Sequence, residues 1–584
     1  MFRGMEAATI QPVGPSHRRT RILNCTWFLA CAIASSVWCV GAGRELGPTF
    51  DEPLYLARGL EHWETGSHSG LLRVGTMPLP IDMETLPVHL WERWHGAHLD
   101  AERDIDQVLV WARAGTLFFW WLLLFYGWKT GESLGGTWGA RLAVAFLASE
   151  PSFLAHASLA TTDIAVSACV LAFVYHFSRG REGPWWLRVG VPAIWFGAAI
   201  LAKASGLIFC SISLIVLELE RLIRIRTFND LREHSLVEKL RRVWQQTAAL
   251  RRDFFQIVGI AILLTFLYCG SDWKSQPSFV AWANGLPDGY AKDAMVWVAD
   301  NARIFSNAGE GIVRQVKHNL HGHGAYLLGR SDPRYFWYYF PVLLTVKLCV
   351  PILLLPIVLL LLEPRVLANR LGLLTATLVV FSLTWHVQIG IRLILPVIAI
   401  GLVALGAGLA RAVSTVQPVW KRNVLASYAV LGLVWSGVAC AAVWPNGLCY
   451  VNEIWGGTAR GYRQVSDANY DWGQGLRELA RWQRTNGLAS LDVWYFGTDP
   501  AVKRLPMRIV PIHCLPITKF EDIESAVQTR YFAASTSLVY GAADNDDFRR
   551  AAELLRSRRP VARTSTFLIY DLGNSSPEKY SQRP

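Results

Sequence analysis

The residues of this 584-residue sequence with the means to do chemistry are ionisable groups at the ends of apolar runs. Asp51 and Glu52 follow the first run, and Glu150, His156 and Asp163 bracket the turn between the third and fourth. Lys203 lies between the fifth and sixth, and His386 and Arg392 flank the turn between the ninth and tenth. These turns share one parity, so they fall on the same side of a membrane. Charges at membrane depth are costly and face a cavity or a partner, and their recurrence on one side implies an outward-facing polar site. The segment FDEPLYLARGLEHWETG (50–66) carries the strongest local signal. Pro53 suits a first helical turn, Asp51 the N-cap and Gly66 the end. Leu56, Leu60 and Trp63 recur at helical spacing, which predicts an amphipathic helix along the outer surface. Asp51 is then either a plain cap or a carboxylate fixed beside N–H groups able to bind an anion.

A carboxylate and cations on an outer face fit one kind of transfer. Nucleotide-activated donors are made in the cytosol, so an outward-facing transferase needs a donor that has crossed the bilayer, most simply a sugar on a polyprenyl phosphate. Arg and Lys would hold its phosphate, and the lipid tail would lie among the spans. The phosphate is already a good leaving group, so one carboxylate base near the acceptor hydroxyl suffices for inverting displacement. A transporter or lipid flippase also needs polar residues within spans, but usually shows matching halves with broken helices near midplane, and no such halves are apparent. A late binding module on an inert anchor would leave Asp51, Asp163 and Arg392 without a role.

Composition sets the frame for these residues. With 52% hydrophobic and 17% charged residues and a mean hydropathy of +0.25, the chain does not suit soluble domains, disorder or a collagen-like repeat. Apolar runs near 23–43, 108–127, 138–155, 164–178, 187–201, 204–219, 254–270, 337–362, 371–388, 391–410 and 424–444 predict about eleven membrane spans. The first exceeds a usual signal-peptide core and reads as an anchor. The net charge of +12 reflects topology rather than nucleic acid, because Arg and Lys cluster in loops of one parity: Arg221, Arg224, Arg226, Arg232, Lys239, Arg251 and Arg252 in 220–252, with Arg179, Arg181, Arg188, Arg365, Arg370, Lys421 and Arg422 elsewhere. The positive-inside rule puts the N-terminus in the cytoplasm and the C-terminal region outside.

The expected organisation is a cytoplasmic tail (1–22), a transmembrane module (23–444) with outer loops 44–107 and 271–336 and cytoplasmic loop 220–252, and an extracytoplasmic α/β domain (445–584). In the last, a helical stripe (Leu476, Leu479, Ala480, Gln483) ends at Asn486-Gly487 before alternating Leu491, Val493 and Tyr495. Strand-like runs follow at 531–535 and 564–570, with a helix around Phe548, Ala552 and Leu555 between them. Capping explains Asp471 and Gln474, and snorkelling at a span end is open to Lys347 and Arg113. Most of the ten cysteines lie in apolar runs; only Cys449 and Cys514 are placed for a disulfide. His318, His321, His323 and His386 match no firm zinc spacing, so no metal site is assigned.

The acidic pair Asp51-Glu52 after the first span, SEPSFLAHASLATTD (149–163) and AKASG (202–206) resemble the GT-C membrane glycosyltransferases of the family 39 type, which includes protein O-mannosyltransferases and lipid A aminoarabinose transferases. HGHGAYLLG (321–329), YFPVLLTVKLCVP (339–351), IRLILPV (391–397) and NYDWGQGL (469–476) resemble segments of bacterial members. The resemblance implies a GT-C fold, a place in the bacterial inner membrane, a polyprenyl-phosphate sugar donor and an extracytoplasmic acceptor (lipid, glycan or protein). It implies Asp51 as catalytic base, Glu52 as its orienting neighbour and Asp163 as a second acidic residue. Lys203 and Arg392 are candidates for the lipid phosphate, and Tyr55, Arg58, His156 and His386 complete the expected substrate-binding set. Some lipid-phosphate transferases use a divalent cation beside the acidic pair. ETLPVHL (84–90) departs from the His-Pro-Pro segment that members often carry, and no β-trefoil module is evident.

Overall fold

The computed structural model describes residues 15–224, 238, 241–242, 244–245, 247–543 and 545–573. Most of the expected tail and much of the basic loop 220–252 lie outside these residues. The first half of the chain runs through α1 (Pro15–Glu45), α2 (Glu52–Thr65), α3 (Ser69–Arg73), α4 (Pro78–His95), α5 (Ile105–Ala148), α6 (Pro151–Ala157), α7 (Thr162–Gly180), α8 (Val191–Ala202) and α9 (Gly206–Arg224). It continues through α10 (Ala248–Cys269), α11 (Pro277–Asn284), α12 (Tyr290–Asn301), α13 (Ser306–His321) and a small hairpin, β1 (Ala325–Leu327) and β2 (Arg330–Asp332). Then come α14 (Tyr339–Lys347), α15 (Val350–Leu362), α16 (Arg370–Ser382), α17 (Leu395–Thr415) and α18 (Val419–Val443).

Each of the eleven apolar runs lies mainly on helix, but the helices differ in reach. Among the described residues, five stretches are long and apolar enough to cross a membrane: Arg19–Glu45, α5, α10, Ile391–Thr415 and α18. Two broken pairs, α6–α7 bent by 114° and α14–α15 bent by 108°, make seven if each is one span. The count of about eleven also included two shorter apolar helices (186–202 and α16), α9 and a second limb of α5. Helix α9 ends in Glu218, Glu220, Arg221 and Arg224, too many charges for a plain span. Helix α5 folds back at Gly136, whose φ of 63° breaks the helix. Its limbs then pack closely enough that a Cβ on Gly131 would lie 2.7 Å from the Gly139 carbonyl oxygen, an approach that small residues permit.

At the end of the bundle away from the acidic turns, Arg181 pairs with Glu218 (2.8 Å) and Asp253 (3.1 Å), and Arg188 also reaches Asp253 (2.9 Å). These ion pairs tie together the ends of α7, α9 and α10 and the turn that leads into α8.

After α18 the chain makes only short 3₁₀ turns until Gly475, then builds α19 (Leu476–Thr485), β3 (Leu491–Trp494), β4 (Met507–Ile509), α20 (Phe520–Ala526), β5 (Tyr531–Ser535), α21 (Thr536–Val539), α22 (Asp546–Ser557), β6 (Ala562–Arg563) and β7 (Phe567–Asp571). The sheet order is β4-β3-β5-β7-β6. Strand β3 is parallel to β4 (Leu491 opposite Met507) and to β5 (Val493 opposite Ala533), while β7 is antiparallel to β5 (Ile569 opposite Ala533) and to β6. The sheet buries Leu491, Val493, Ala533, Phe567 and Ile569 with Leu479. The strands and helices expected in this region are present. Strands β4 and β6 were not expected, being edge strands of three and two residues, too short for alternation to register.

The 445–475 stretch binds the helical module to this sheet. Lys347 does not snorkel: it is buried, and its Nζ donates to the carbonyls of Leu448 (2.8 Å), Tyr450 (2.6 Å) and Asn469 (2.7 Å). Asn452 Nδ2 donates to the carbonyls of Thr345 and Leu348. Asp471 and Gln474 do not cap α19, whose N-cap is Gly475. Asp471 instead accepts from Gly473 and Ser537 N–H groups, and Gln474 accepts from the Trp472 N–H. Cys449 is buried and Cys514 exposed, both as free thiols.

Candidate functional site

The linker between α1 and α2 is held from both sides. Beneath it, Glu52 is fully buried, and its carboxylate accepts from the Arg113 guanidinium (2.8 and 2.7 Å), the Thr49 N–H (2.7 Å) and the Ala160 N–H (2.7 Å). Arg113 also donates to the carbonyls of Gly43, Leu46 and Gly47. Above it, the Phe50 N–H donates to the Trp472 carbonyl (2.8 Å), the Gly47 N–H to the Gln474 carbonyl (3.0 Å), and the Thr498 hydroxyl to the Phe50 carbonyl (2.6 Å). A residue clamped this way has little freedom, and it is Asp51 that the clamp presents.

Asp51 occupies the N-cap position of α2, but its side chain makes no cap bond. Its Oδ2 instead meets Arg392 Nη1 at 3.1 Å and accepts from the Tyr55 hydroxyl at 3.4 Å. Arg392 Nη1 lies 4.0 Å from Asp163 Oδ2, and Asp163 Oδ1 takes Lys203 Nζ at 2.6 Å. Asp163 is fully buried, whereas the Asp51 side chain keeps 25% of its exposure. Asp51, Tyr55, Lys203 and Arg392 thus line one cavity of ≈ 320 Å³, with the Asp163 carboxylate buried behind the two cations. The Arg392 guanidinium stacks over Trp472, 4.0 Å from the ring centre, which holds the fork in place.

The late region supplies the other wall. Asp467, Trp472 and Phe496 line the cavity, and Phe496 stacks on Phe50 with ring centres 5.4 Å apart. Asp467 holds φ = 55°, a left-handed conformation that Asp tolerates better than most residues. Burial raises its carboxyl above the ordinary range, against the pull of Arg392. Burial, with Asp51 beside it, keeps the Tyr55 hydroxyl protonated far above its ordinary range. His318 and His323 also line the cavity, with His318 Nε2 3.0 Å from His323 Nδ1. Burial and the neighbouring imidazole depress the His318 pKa.

Of the expected site residues, the structure brings Asp51, Tyr55, Lys203 and Arg392 onto one wall, with Asp163 directly behind. His156 is buried beneath the site, its ring 6.3 Å from that of Trp472. The other three do not line the cavity either. Glu52 turns inward to Arg113, so it fixes the linker rather than facing the opening. Arg58 lies on the exposed side of α2, paired with Glu61 at 2.6 Å. His386 stacks on Tyr335, ring centres 4.0 Å apart; His318, His321, His323 and His386 therefore do not converge on one point. Asp467, His318 and His323 were missed as cavity residues: the first sits in a stretch of 3₁₀ turns without periodicity, and the histidines read only as a turn. Trp472 falls inside NYDWGQGL, so a signal for it was present.

The carboxylates beside this cavity fit a divalent cation poorly. Asp51 and Asp163 are already faced by Arg392 and Lys203, which would repel an ion placed between them.

No known family profile and no curated protein matches the chain. Among solved structures, ArnT from Cupriavidus metallidurans bound to undecaprenyl phosphate is similar over 94% of this chain and 98% of its own, at 14% identity and a TM-score of 0.44. The oligosaccharyltransferase AglB from Archaeoglobus fulgidus, in complex with an inhibitory peptide and a dolichol-phosphate, is similar over 93% of this chain and 74% of its own, at 12% identity and a TM-score of 0.42.

Proposed function

We propose that this chain is an integral-membrane glycosyltransferase that moves a sugar from a polyprenyl phosphate to an acceptor hydroxyl outside the cytoplasm. The observation that carries the reading is the meeting of Asp51, Asp163, Lys203 and Arg392 from distant parts of the sequence around a single cavity. Soluble nucleotide sugars do not reach an outer membrane face, whereas a lipid-linked sugar does, and its phosphate needs cations placed where Lys203 and Arg392 stand.

In this mechanism the donor phosphate binds against Lys203 and Arg392, drawing the guanidinium away from Asp51. Asp51, released from that pairing, takes the proton of the acceptor hydroxyl as general base. The acceptor oxygen forms a bond to the anomeric carbon as the bond from that carbon to the phosphate oxygen breaks, with inversion. The polyprenyl phosphate leaves as an anion that the two cations stabilise where its charge develops. Asp163 holds Lys203 and faces Arg392, so it positions the phosphate-binding pair. The wall built by Asp467, Trp472 and Phe496 gives the late α/β region a share in shaping the acceptor side. In this reading the basic loops lie in the cytoplasm and the cavity faces outward across the plasma membrane of a bacterium.

The test is a screen of purified protein with radiolabelled polyprenyl-phosphate sugars, run beside Asp51→Asn. Transfer by the native chain and loss of at least 10²-fold in the variant, at unchanged expression and detergent elution, support the mechanism. Full activity in Asp51→Asn removes it.

A further inference from the structure

Away from the cavity, the outer layer of helices contains a second cluster that the transfer chemistry does not use. His62 stands near the end of α2, His68 in the α2–α3 turn and Asp82 in α4. Their ligand atoms all lie within 4.8 Å of one another, and His68 Nε2 is 2.9 Å from Asp82 Oδ2. Asp82 is 4% exposed and His68 7%. Two polar atoms in the group are buried without a hydrogen-bond partner, His62 Nδ1 and Asp82 Oδ1. Buried polar atoms ordinarily find partners, so two orphans in one small cluster indicate a missing one.

The surroundings are arranged as a ligand shell would be. The Tyr268 hydroxyl, at the end of α10, donates to Asp82 Oδ2 at 2.8 Å, which leaves Oδ1 as the free ligand atom. The His62 and His68 rings stack at 3.7 Å between centres, so His62, the more exposed of the two, has to tilt out of the stack for both nitrogens to face one ion. His62 is only partly buried, which gives an ion a way in from solvent.

We propose that His62, His68 and Asp82 bind a zinc ion, with water in the fourth position, and that the ion clasps α2 to α4. Two imidazole nitrogens with one carboxylate suit zinc and not calcium or magnesium, which take oxygen ligands. Ligands about 2.1 Å from tetrahedral zinc are about 3.4 Å apart, so side-chain rotations of about an ångström close this set. Tyr268 then acts as the outer partner that orients the ligating carboxylate. Because Asp51 is the N-cap residue of α2, the ion fixes the far end of the helix whose start faces the cavity.

The experiment loads full-length protein, purified with a tag free of histidine, with Zn²⁺ alone, dialyses it and measures retained zinc by mass spectrometry. The native chain and His318→Ala should each keep about one ion per chain, while His68→Ala and Asp82→Asn keep less than a tenth of that. A second measurement, on the native chain alone, replaces Zn²⁺ with Co²⁺, which should give the visible absorption of a tetrahedral site. Overturning results are a native chain that retains no more zinc than the two ligand variants, loss of the ion in His318→Ala, or cobalt spectra of an octahedral aquo ion. None of these readings depends on whether the cavity transfers sugar.

Discussion

Arg113 and Glu52 form a buried pair whose removal has a cost that can be worked from the contacts. Replacing Arg113 with Met leaves the Glu52 carboxylate buried with only the Thr49 and Ala160 donors, and leaves the carbonyls of Gly43, Leu46 and Gly47 without their guanidinium. Breaking a buried pair from one side costs about 3–5 kcal/mol. Glu52→Gln should cost less, because the guanidinium keeps those three carbonyls and the amide oxygen can still accept from Thr49. The double variant Arg113→Met/Glu52→Leu removes both charges, and replacement by apolar groups is often close to neutral. It should therefore be less destabilised than Arg113→Met by about 2 kcal/mol or more. Denaturant unfolding in detergent micelles, followed by tryptophan fluorescence, gives the four free energies of the cycle built on Arg113→Met and Glu52→Leu. A coupling energy below about 0.5 kcal/mol would refute the assignment of Glu52 to structure and return it to the list of reacting groups.

Two further outcomes follow from the same geometry. Lys203→Met should raise KM for the lipid-linked donor by at least tenfold while Lys203→Arg recovers most of it, since the lost group is a phosphate-binding charge; equal KM values in native and Met proteins would contradict that role. Asp471, buried behind the cavity wall, has its carboxyl pushed up to about 7 by burial, against bonds from Ser537 and Gly473. Its folded-state pKa lies above the unfolded one, so the folded chain binds the extra proton, and this contribution is complete below about pH 4 and lost as pH rises to about 7. Asp471→Asn should remove a fall in thermal stability over that window, worth a few kcal/mol, and an unchanged pH profile would count against it.

Much of this was legible in the sequence because membrane physics writes itself locally. The apolar runs mark helices, Pro53 and Gly66 bound α2, and the polar turns at one end point to a common site. The number of crossings was less legible: the break near Gly136 falls between two separate apolar runs, 108–127 and 138–155, but nothing in 337–362 marks Leu348-Cys349 as the turn that bends it through 108°. Partnerships over long separations were also hidden. Nothing near Glu52 announces Arg113, and nothing near Asp51 announces Arg392, 341 residues away. Asp467 lies in a stretch whose backbone is shaped by tertiary contacts, where neither period 3.6 nor period 2 applies. Lys347 looked like a span-end lysine, and only the fold reveals the three carbonyls that make it an anchor.

Binding and chemistry fall to different residues of one cavity, and a titration of polyprenyl phosphate against native, Asp51→Asn and Arg392→Met proteins tests this most directly. Asp51→Asn removes the carboxylate that competes for the guanidinium, so it should bind the lipid phosphate as tightly as the native chain or more tightly while transferring no sugar. Arg392→Met should lose at least tenfold in affinity. Equal affinity of all three proteins for the lipid phosphate would contradict the account.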